Sequence, residues 1–134
     1  MAGIVSTRCR GFIETMLARG YRFASVVHPS AVISRRASIG DGCVINAGVI
    51  TSPNSTIEAH VILNRGCLIG HDNHIESFCT IGPGANLAGG VKLGAGAYIG
   101  VGAVIRDHLT IGSESVVGAG AVVVKPVPPN VMVT

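Results

Sequence analysis

Residues 63–99 read LNRGCL IGHDNH IESFCT IGPGAN LAGGVK LGAGAY I, and every group of six begins with an aliphatic residue. The same spacing runs from Ile33 to Val123, where 15 of 16 positions six residues apart are Ile, Leu or Val and the exception is Thr51. A helix repeats every 3.6 residues and a strand every 2, so neither alone produces this register. A fixed period of six predicts an all-β solenoid of hexapeptide repeats, a parallel β-helix.

The other positions of each hexad support this fold. A small residue, such as Cys67 or Ala85, usually lies two positions before the aliphatic, and both face inward because alternate residues of a strand point the same way. Turn pairs such as Pro83-Gly84 follow the aliphatic. Three hexads therefore make one coil of 18 residues, coils stack about 4.8 Å apart, and the repeats suffice for about five coils. Truncating one inward aliphatic, as in Ile81→Ala, should cost roughly 2–5 kcal/mol of stability.

Composition excludes several classes of protein. The 134 residues suffice for one domain, and no apolar run is long enough to cross a membrane. The N-terminus lacks a signal-peptide core, which predicts a cytoplasmic protein without membrane insertion. A net charge of +3 with 4% aromatic residues is too weak a signal for nucleic-acid binding. Of four cysteines, three occupy small inward positions, so we expect neither disulfides nor a metal site.

The chain divides into three parts. Residues 1–30 contain a short helix at about residues 8–19, with an apolar face that must be buried somewhere, and an extended lead-in. Residues 31–125 form the β-helix. Residues 126–134 form a C-terminal tail, because the prolines at positions 126, 128 and 129 cannot donate ladder hydrogen bonds.

The most unusual corner of the predicted β-helix is His71-Asp72. A histidine beside a carboxylate is the minimal general base, because imidazole titrates near neutrality and the acid orients it. The alternative is that His71 is an exposed corner residue without a role. The pair Asp107-His108 offers the same two groups and is the competing candidate. His28, His60 and His74 fall in ordinary turn or strand positions.

Three segments carry a family resemblance: Asn64 to Asp72, Gly82 to Gly90 and Ile99 to Ala103. In this order they resemble the hexapeptide-repeat sugar O- and N-acetyltransferases, in particular the group similar to sialic-acid O-acetyltransferases. The resemblance implies a left-handed β-helix, acetyl-CoA as donor, a sugar or sugar nucleotide as acceptor and a homotrimer. Such relatives usually carry a sugar-nucleotide-binding domain before the β-helix, and the N-terminal helix resembles the last helix of that domain. Two alternatives follow: the chain is a fragment that lacks this domain, or it is a naturally short member with a different acceptor.

The resemblance also implies roles for individual residues. His71 matches the general base and Asp72 the acid that strengthens it, while Asn64 matches a residue lining the acceptor pocket. Positions that contact acetyl-CoA are Thr80, Val101 and Ala119. Some members of the family have a histidine at the position of Thr80 that bonds the thioester carbonyl, so this chain departs from the pattern there.

The repeat geometry predicts a site between subunits. Val101 and Ala119 are 18 residues apart and lie on one edge of the prism, whereas His71 lies on another edge roughly 15 Å away. One chain cannot join the two, but two neighbouring chains of a trimer can. Two other classes are alternatives: a non-catalytic trimeric scaffold or CoA-binding module, and a carbonic-anhydrase-like β-helix with a metal between chains. The histidine positions do not favour the latter.

Overall fold

The computed structural model describes residues 2–134, with side chains from Cys9 onwards. One helix, α1 (Ala2–Ala18), precedes 18 strands of two residues each. The strands build three parallel sheets, which we call faces 1, 2 and 3 in the order in which the chain visits them. Face 1 consists of β1 (Val26–Val27), β4 (Val44–Ile45), β7 (Ile62–Leu63), β10 (Thr80–Ile81), β13 (Tyr98–Ile99), β16 (Val116–Val117) and β18 (Met132–Val133).

Faces 2 and 3 are built in the same way. Face 2 consists of β2 (Val32–Ile33), β5 (Ile50–Thr51), β8 (Leu68–Ile69), β11 (Asn86–Leu87), β14 (Val104–Ile105) and β17 (Val122–Val123). Face 3 consists of β3 (Ser38–Ile39), β6 (Thr56–Ile57), β9 (His74–Ile75), β12 (Lys92–Leu93) and β15 (Thr110–Ile111). Strands three places apart in the chain pair with one another, except that the last strand, β18, pairs with β16. The chain therefore forms a three-sided solenoid of about six coils. The hexapeptide prediction is confirmed.

Inward residues form one core that runs the length of the prism. The second residue of nearly every strand is an aliphatic, and from Ile45 to Ile111 these residues are at most 3% exposed. The small residues two positions earlier, such as Cys67 and Ala85, are fully buried beside them. Amides along each wall donate to carbonyls of the next coil, for example Thr80 to Ala97 at 3.0 Å. Core packing and ladder hydrogen bonds therefore stabilise the same register.

The corners form three edges. The glycine edge joins faces 1 and 2, and its second residue has a left-handed φ in Gly48, Gly66, Gly84, Gly102 and Gly120. The histidine edge joins faces 2 and 3 through residue pairs 35–36, 53–54, 71–72, 89–90 and 107–108. The third edge joins faces 3 and 1 through residue pairs 41–42, 59–60, 77–78, 95–96 and 113–114. Only the glycine edge uses glycine at its left-handed position in each of these coils.

The coils extend beyond the expected residues 31–125 at both ends. Strand β1 lies in the segment expected to be a lead-in and pairs with β4. Strand β18 lies in the segment expected to be a tail and pairs with β16. Here the partners Val116 and Met132 are 16 rather than 18 residues apart, because the proline-rich segment makes a shortened coil anchored by a bridge from Val127 to Ile111. Prolines end the hexad pattern but not the sheet.

Helix α1 is longer than expected and lies against the side of the prism. Arg10 lies over the ring of Phe78 at 4.8 Å and pairs with Glu114 at 2.8 Å, both on the third edge. Ile13 is partly buried, whereas Phe12 is 62% exposed. Only part of the predicted apolar face is thus buried. In the described part of the chain, no helix is long and apolar enough to span a membrane.

Candidate functional site

The His71-Asp72 corner forms the hydrogen bond that the sequence suggested. His71 Nδ1 lies 2.7 Å from Asp72 Oδ2, and the two side chains are 63% and 58% exposed. Because a carboxylate only accepts, Nδ1 carries the proton and donates, and in the neutral imidazole Nε2 then has a free lone pair. A histidine oriented in this way can accept a proton from an incoming nucleophile.

Gly89, in the next coil, determines where the imidazole lies. A Cβ on Gly89 would come within 2.5 Å of Cε1 and Nε2 of His71, so the ring lies directly over the bare backbone of residue 89. The amide of Gly90 donates to the carbonyl of His71 at 2.8 Å, which connects the two corners. The sequence reasoning did not single out Gly89. The 18-residue spacing from His71 was the signal that could have identified it.

Two buried polar residues hold the corner from inside the prism. Ser55 Oγ donates to the carbonyl of Gly70 at 2.6 Å and accepts the amide of Asn73 at 3.2 Å. Asn73 Oδ1 accepts the amide of Val91 at 2.7 Å. Ser55 and Asn73 are each 1% exposed. The backbone on both sides of the dyad is therefore fixed by hydrogen bonds that water does not reach.

The surroundings of Asp72 favour its ionised form. The hydrogen bond from His71 is the largest of several effects that hold the pKa of Asp72 below its ordinary value, and Asn54 and the charge of Arg36 act in the same direction. Both residues lie in earlier coils of the histidine edge, at spacings of 18 and 36 residues. Asp72 itself has a left-handed φ of 57°, which Asp tolerates better than most residues.

The competing corner has a looser geometry. His108 Nε2 lies 3.8 Å from Asp107 Oδ2, too far for a hydrogen bond, and the His108 side chain is 76% exposed. Its ring lies over Gly90, because a Cβ there would come within 2.5 Å of His108 Nδ1. His71 and His108 thus approach the Gly89-Gly90 corner from opposite sides, and only His71 has a bound carboxylate.

The other histidines have local structural partners. His28 Nδ1 lies 2.8 Å from the hydroxyl of Ser30, in the turn before the first complete coil. His60 stacks on Phe78 with ring centroids 5.1 Å apart. His74 Nε2 lies 2.8 Å from Glu58 Oε1 on the polar face 3. No three His, Cys, Asp or Glu side chains of the described residues converge as a metal-binding group.

The residues expected to contact acetyl-CoA lie apart from His71 within one chain. Val101 and Ala119 are exposed on the glycine edge, and Val101 is 52% exposed. Thr80 points outward from face 1 and lines a small cleft under α1 with Cys9 and Ile13. None of these residues belongs to the histidine edge.

Asn64 also lies away from the dyad. It precedes the glycine edge, and its Nδ2 donates to the carbonyl of Ile81 at 3.1 Å. The width of face 2, represented here by Leu68–Ile69, separates it from His71. One chain therefore brings together His71 and Asp72 but none of the other predicted site residues.

The buried thiols are poor nucleophiles. Burial raises the pKa of Cys67 to about 12 and that of Cys79 to about 12. Both remain neutral thiols at physiological pH, and the thiolate is the reactive form. The Sγ of Cys79 donates to the carbonyl of Gly94 at 3.2 Å, which is a structural role.

Fold and corner together define a class: a parallel β-helix of hexapeptide repeats with an exposed histidine–carboxylate pair on one edge. The family model described as bacterial transferase hexapeptide (six repeats) matches residues 72–107. PerB from Caulobacter crescentus, solved in complex with CoA and GDP-perosamine, is 36% identical over 92% of this chain and 59% of its own, with a TM-score of 0.90. A comparison with curated protein sequences gives no match.

Two further solved structures are similar. The acetyltransferase domain of PglB from Neisseria gonorrhoeae FA1090, solved with acetyl coenzyme A, is 35% identical over 92% of this chain and 60% of its own, with a TM-score of 0.89. WeeI from Acinetobacter baumannii AYE is 30% identical over 96% of this chain and 63% of its own, with a TM-score of 0.92.

The chain belongs to the hexapeptide-repeat family and resembles its sugar acetyltransferases, which confirms the resemblance inferred from the sequence. The β-helix is left-handed, as its membership of the hexapeptide-repeat family implies. The chain spans about three fifths of the length of these structural relatives.

Proposed function

We propose that this protein is an acetyl-CoA-dependent acetyltransferase that acetylates a hydroxyl or amine of a sugar or sugar nucleotide. The observation that carries the proposal is the 2.7 Å hydrogen bond between His71 and Asp72 on an exposed corner. Relatives solved with CoA and GDP-perosamine or with acetyl coenzyme A support the choice of donor and of acceptor class.

In the proposed reaction His71 is the general base. Its Nε2 takes the proton from the acceptor's amine or hydroxyl as that atom attacks the thioester carbon. The acceptor's lone pair forms the new bond to the acetyl carbon, and the tetrahedral oxyanion then collapses and breaks the carbon–sulfur bond. The electrons of that bond stay on sulfur, which takes the proton from His71 and leaves as coenzyme A. Asp72 keeps the imidazole in the required tautomer and stabilises the imidazolium that forms. The neutral inward thiols argue against an acyl-enzyme intermediate.

The glycine edge is the proposed path of the coenzyme. A Cβ on Gly84, Gly102 or Gly120 would meet nothing within 4 Å, so an extended pantetheine arm can approach the backbone there. Val101 and Ala119 are the neighbours of two of these glycines and are the proposed contacts. The hydroxyl of Thr80 is the proposed donor to the thioester carbonyl, in addition to backbone amides.

The outer surfaces support a site between the subunits of a homotrimer. Five of the six outward positions of face 2 are exposed aliphatics, Val32, Ile50, Leu68, Val104 and Val122, and the sixth is Asn86. Face 3 presents Ser, Thr, His and Lys at the equivalent positions. An apolar column beside a polar one favours a second copy of the chain as the partner of face 2, since monomers rarely expose such columns. This packing would place the His71 of one subunit near the coenzyme edge of its neighbour.

The test is release of free thiol from acetyl-CoA by the purified protein, with a panel of amino- and hydroxy-sugars and their nucleotide derivatives. We expect release that depends on the acceptor and is lost in His71→Ala. The oligomeric state of both proteins is measured in parallel, so that a loss of assembly is not mistaken for a loss of the base. A trimer without release for any acceptor would favour the scaffold alternative.

A further inference from the structure

A pair of arginines lies on the histidine edge, two coils before the dyad. Backbone hydrogen bonds establish the stacking: Asn54 donates to the carbonyl of Arg36 at 3.1 Å, and Asp72 donates to the carbonyl of Pro53 at 3.1 Å. Corner residues 35–36 are therefore separated from corner residues 71–72 by two coil steps, about 9–10 Å along the prism.

Both guanidinium groups are available to a ligand. Arg35 and Arg36 are exposed, and neither forms a salt bridge with any carboxylate of the described residues. Arg36 is close enough to Asp72 for its charge to act on that carboxylate. The corner between them, Pro53-Asn54, has no charged side chain, so the path from Arg36 to the dyad contains no competing ion.

Charge is distributed unequally between the edges. Besides this pair, Arg106 and Lys125 also lie at corners of the histidine edge. Of the acidic residues that follow α1, Asp41, Glu58, Glu76 and Glu114 lie at the third edge or the ends of the face 3 strands. Asp72 and Asp107 lie on the histidine edge, where the four basic residues outnumber them. At the third edge, Arg10 of α1 neutralises Glu114. An anion approaching the prism is therefore attracted to the edge that holds the dyad.

The position of the coenzyme decides which ligand meets these arginines. The proposed coenzyme contacts Thr80, Val101 and Ala119 follow His71 in the chain and lie in the same or later coils. An acceptor that attacks from the opposite side of the thioester extends toward earlier coils. In a sugar nucleotide, the reacting group and the first phosphorus are roughly 6–7 Å apart, given bonds of about 1.5 Å. One hydrogen bond from the reacting group to His71 and another from the phosphate to an arginine add to this span. The total then matches the separation of about 9–10 Å between corner 71–72 and corner 35–36.

We propose that Arg35 and Arg36 bind the diphosphate of a nucleotide-linked acceptor and thereby select sugar nucleotides over free sugars. The inference rests on the proposed function and adds the anionic half of the substrate to it. Arginine suits this role because its planar fork of donors matches phosphate oxygens.

The first test measures binding without catalysis. Calorimetric titration with UDP and with inorganic pyrophosphate is performed on the wild type and on Arg35→Gln/Arg36→Gln. The control is Arg19→Gln/Arg22→Gln, which removes two exposed arginine charges away from the histidine edge. We expect at least ~10-fold weaker binding in the first variant only, since charge-assisted hydrogen bonds are lost. Equal affinity in all three proteins, or equal weakening in both variants, overturns the proposal.

The second test separates the acceptor from the coenzyme, which also carries phosphates. In Arg35→Gln/Arg36→Gln, the ratio of kcat/KM for a UDP-linked amino sugar to that for its neutral methyl glycoside should fall ~10-fold or more. A selective rise in the KM for acetyl-CoA would instead assign the arginines to the coenzyme and overturn the inference. If the wild type binds UDP through these arginines but shows no turnover, the proposed function is contradicted. The inference that the arginines bind phosphate would still be supported.

Discussion

Two corners of the histidine edge carry the same pair of residue types in opposite order. His71-Asp72 has a 2.7 Å hydrogen bond between its side chains, whereas the groups of Asp107-His108 are 3.8 Å apart. In the first corner Asp72 occupies the left-handed second position, and in the other His108 does so, with φ of 57° and 54°. Both imidazoles lie against the Gly89-Gly90 corner, one from each side.

The difference shows that order within the corner decides what a histidine can do. At the first position the imidazole of His71 lies over Gly89 and its Nδ1 faces the carboxylate of the next residue. At the second position the imidazole of His108 turns toward the preceding coil and away from its acid. In the sequence both corners are simply a histidine next to an aspartate. The coil geometry distinguishes them, because only the His71-Asp72 side chains are hydrogen-bonded.

The largest expected effect is that of removing the imidazole of His71, and removal of the His108 imidazole is the matched comparison. His71→Ala should lower kcat/KM by roughly 10²–10⁴, the usual contribution of a general base. His108→Ala should change it less than about threefold, because no carboxylate orients this ring. Acetyl-CoA hydrolysis and acceptor-dependent thiol release are measured for both. Equal losses in the two variants would end the distinction between the corners.

Gly89→Ala tests the distinction without touching a titratable group. The new methyl would displace the imidazole of His71, and a misplacement of about 1 Å can cost roughly 10²-fold in rate. The backbone at residue 89 is not left-handed, so the thermal midpoint should hardly change.

Gly90→Ala is the matched control for this substitution. Its methyl meets His108 instead, at a backbone cost of about 1 kcal/mol for the left-handed φ of 69°. We therefore expect a small loss of stability and near-normal activity. Loss of activity in Gly90→Ala together with normal activity in Gly89→Ala would identify His108 as the base.

Asp72→Asn should have an intermediate effect, roughly 10-fold on kcat, because the imidazole keeps a partner but loses the charge that stabilises the imidazolium. Asp107→Asn should leave kcat unchanged, because this carboxylate lies too far from His108 for a hydrogen bond. A loss of rate in the second variant and not in the first would refute the assignment.

The pH dependence of stability has a defined sign at this corner. The folded-state pKa of Asp72 is lowered, chiefly by the hydrogen bond from His71. Its contribution is therefore present above the ordinary aspartate pKa of about 3.9 and is lost as the pH falls through the lower folded-state pKa. Chemical unfolding of the wild type and Asp72→Asn between about pH 2 and 5 should show the two stabilities converging as the pH falls.

Cys67→Ala should produce the smallest effect. The thiol is neutral, its pKa is raised to about 12 by burial, and alanine already occupies the same inward position in Ala85 and Ala103 of the following coils. We expect activity within twofold of the wild type. Loss of turnover in a folded Cys67→Ala variant would indicate an acyl-enzyme route and remove the need for a base at either corner.

Much of the fold follows from the sequence because the repeat is local and regular. An aliphatic every six residues specifies both the inward face and the length of a side, and Ile45 to Ile111 are buried as this pattern predicts. The ends were harder to predict. Met132–Val133 pairs with β16 after a shortened coil, and no hexad count indicates this because the proline-rich segment breaks the six-residue spacing.

The same distinction between what the sequence predicts and what the folded coil decides applies to the candidate site. The spacing of residues in the chain is enough to predict the solenoid, its 18-residue coil and hence the edge on which each corner lies, and chemistry and family resemblance identify His71 and Asp72. The tertiary structure alone decided which histidine meets its acid and which glycine supports its ring. Stacking in register places residue 89 over residue 71, and the handed shape of each corner determines where a side chain can reach. These are properties of the folded coil and not of the spacing between residues.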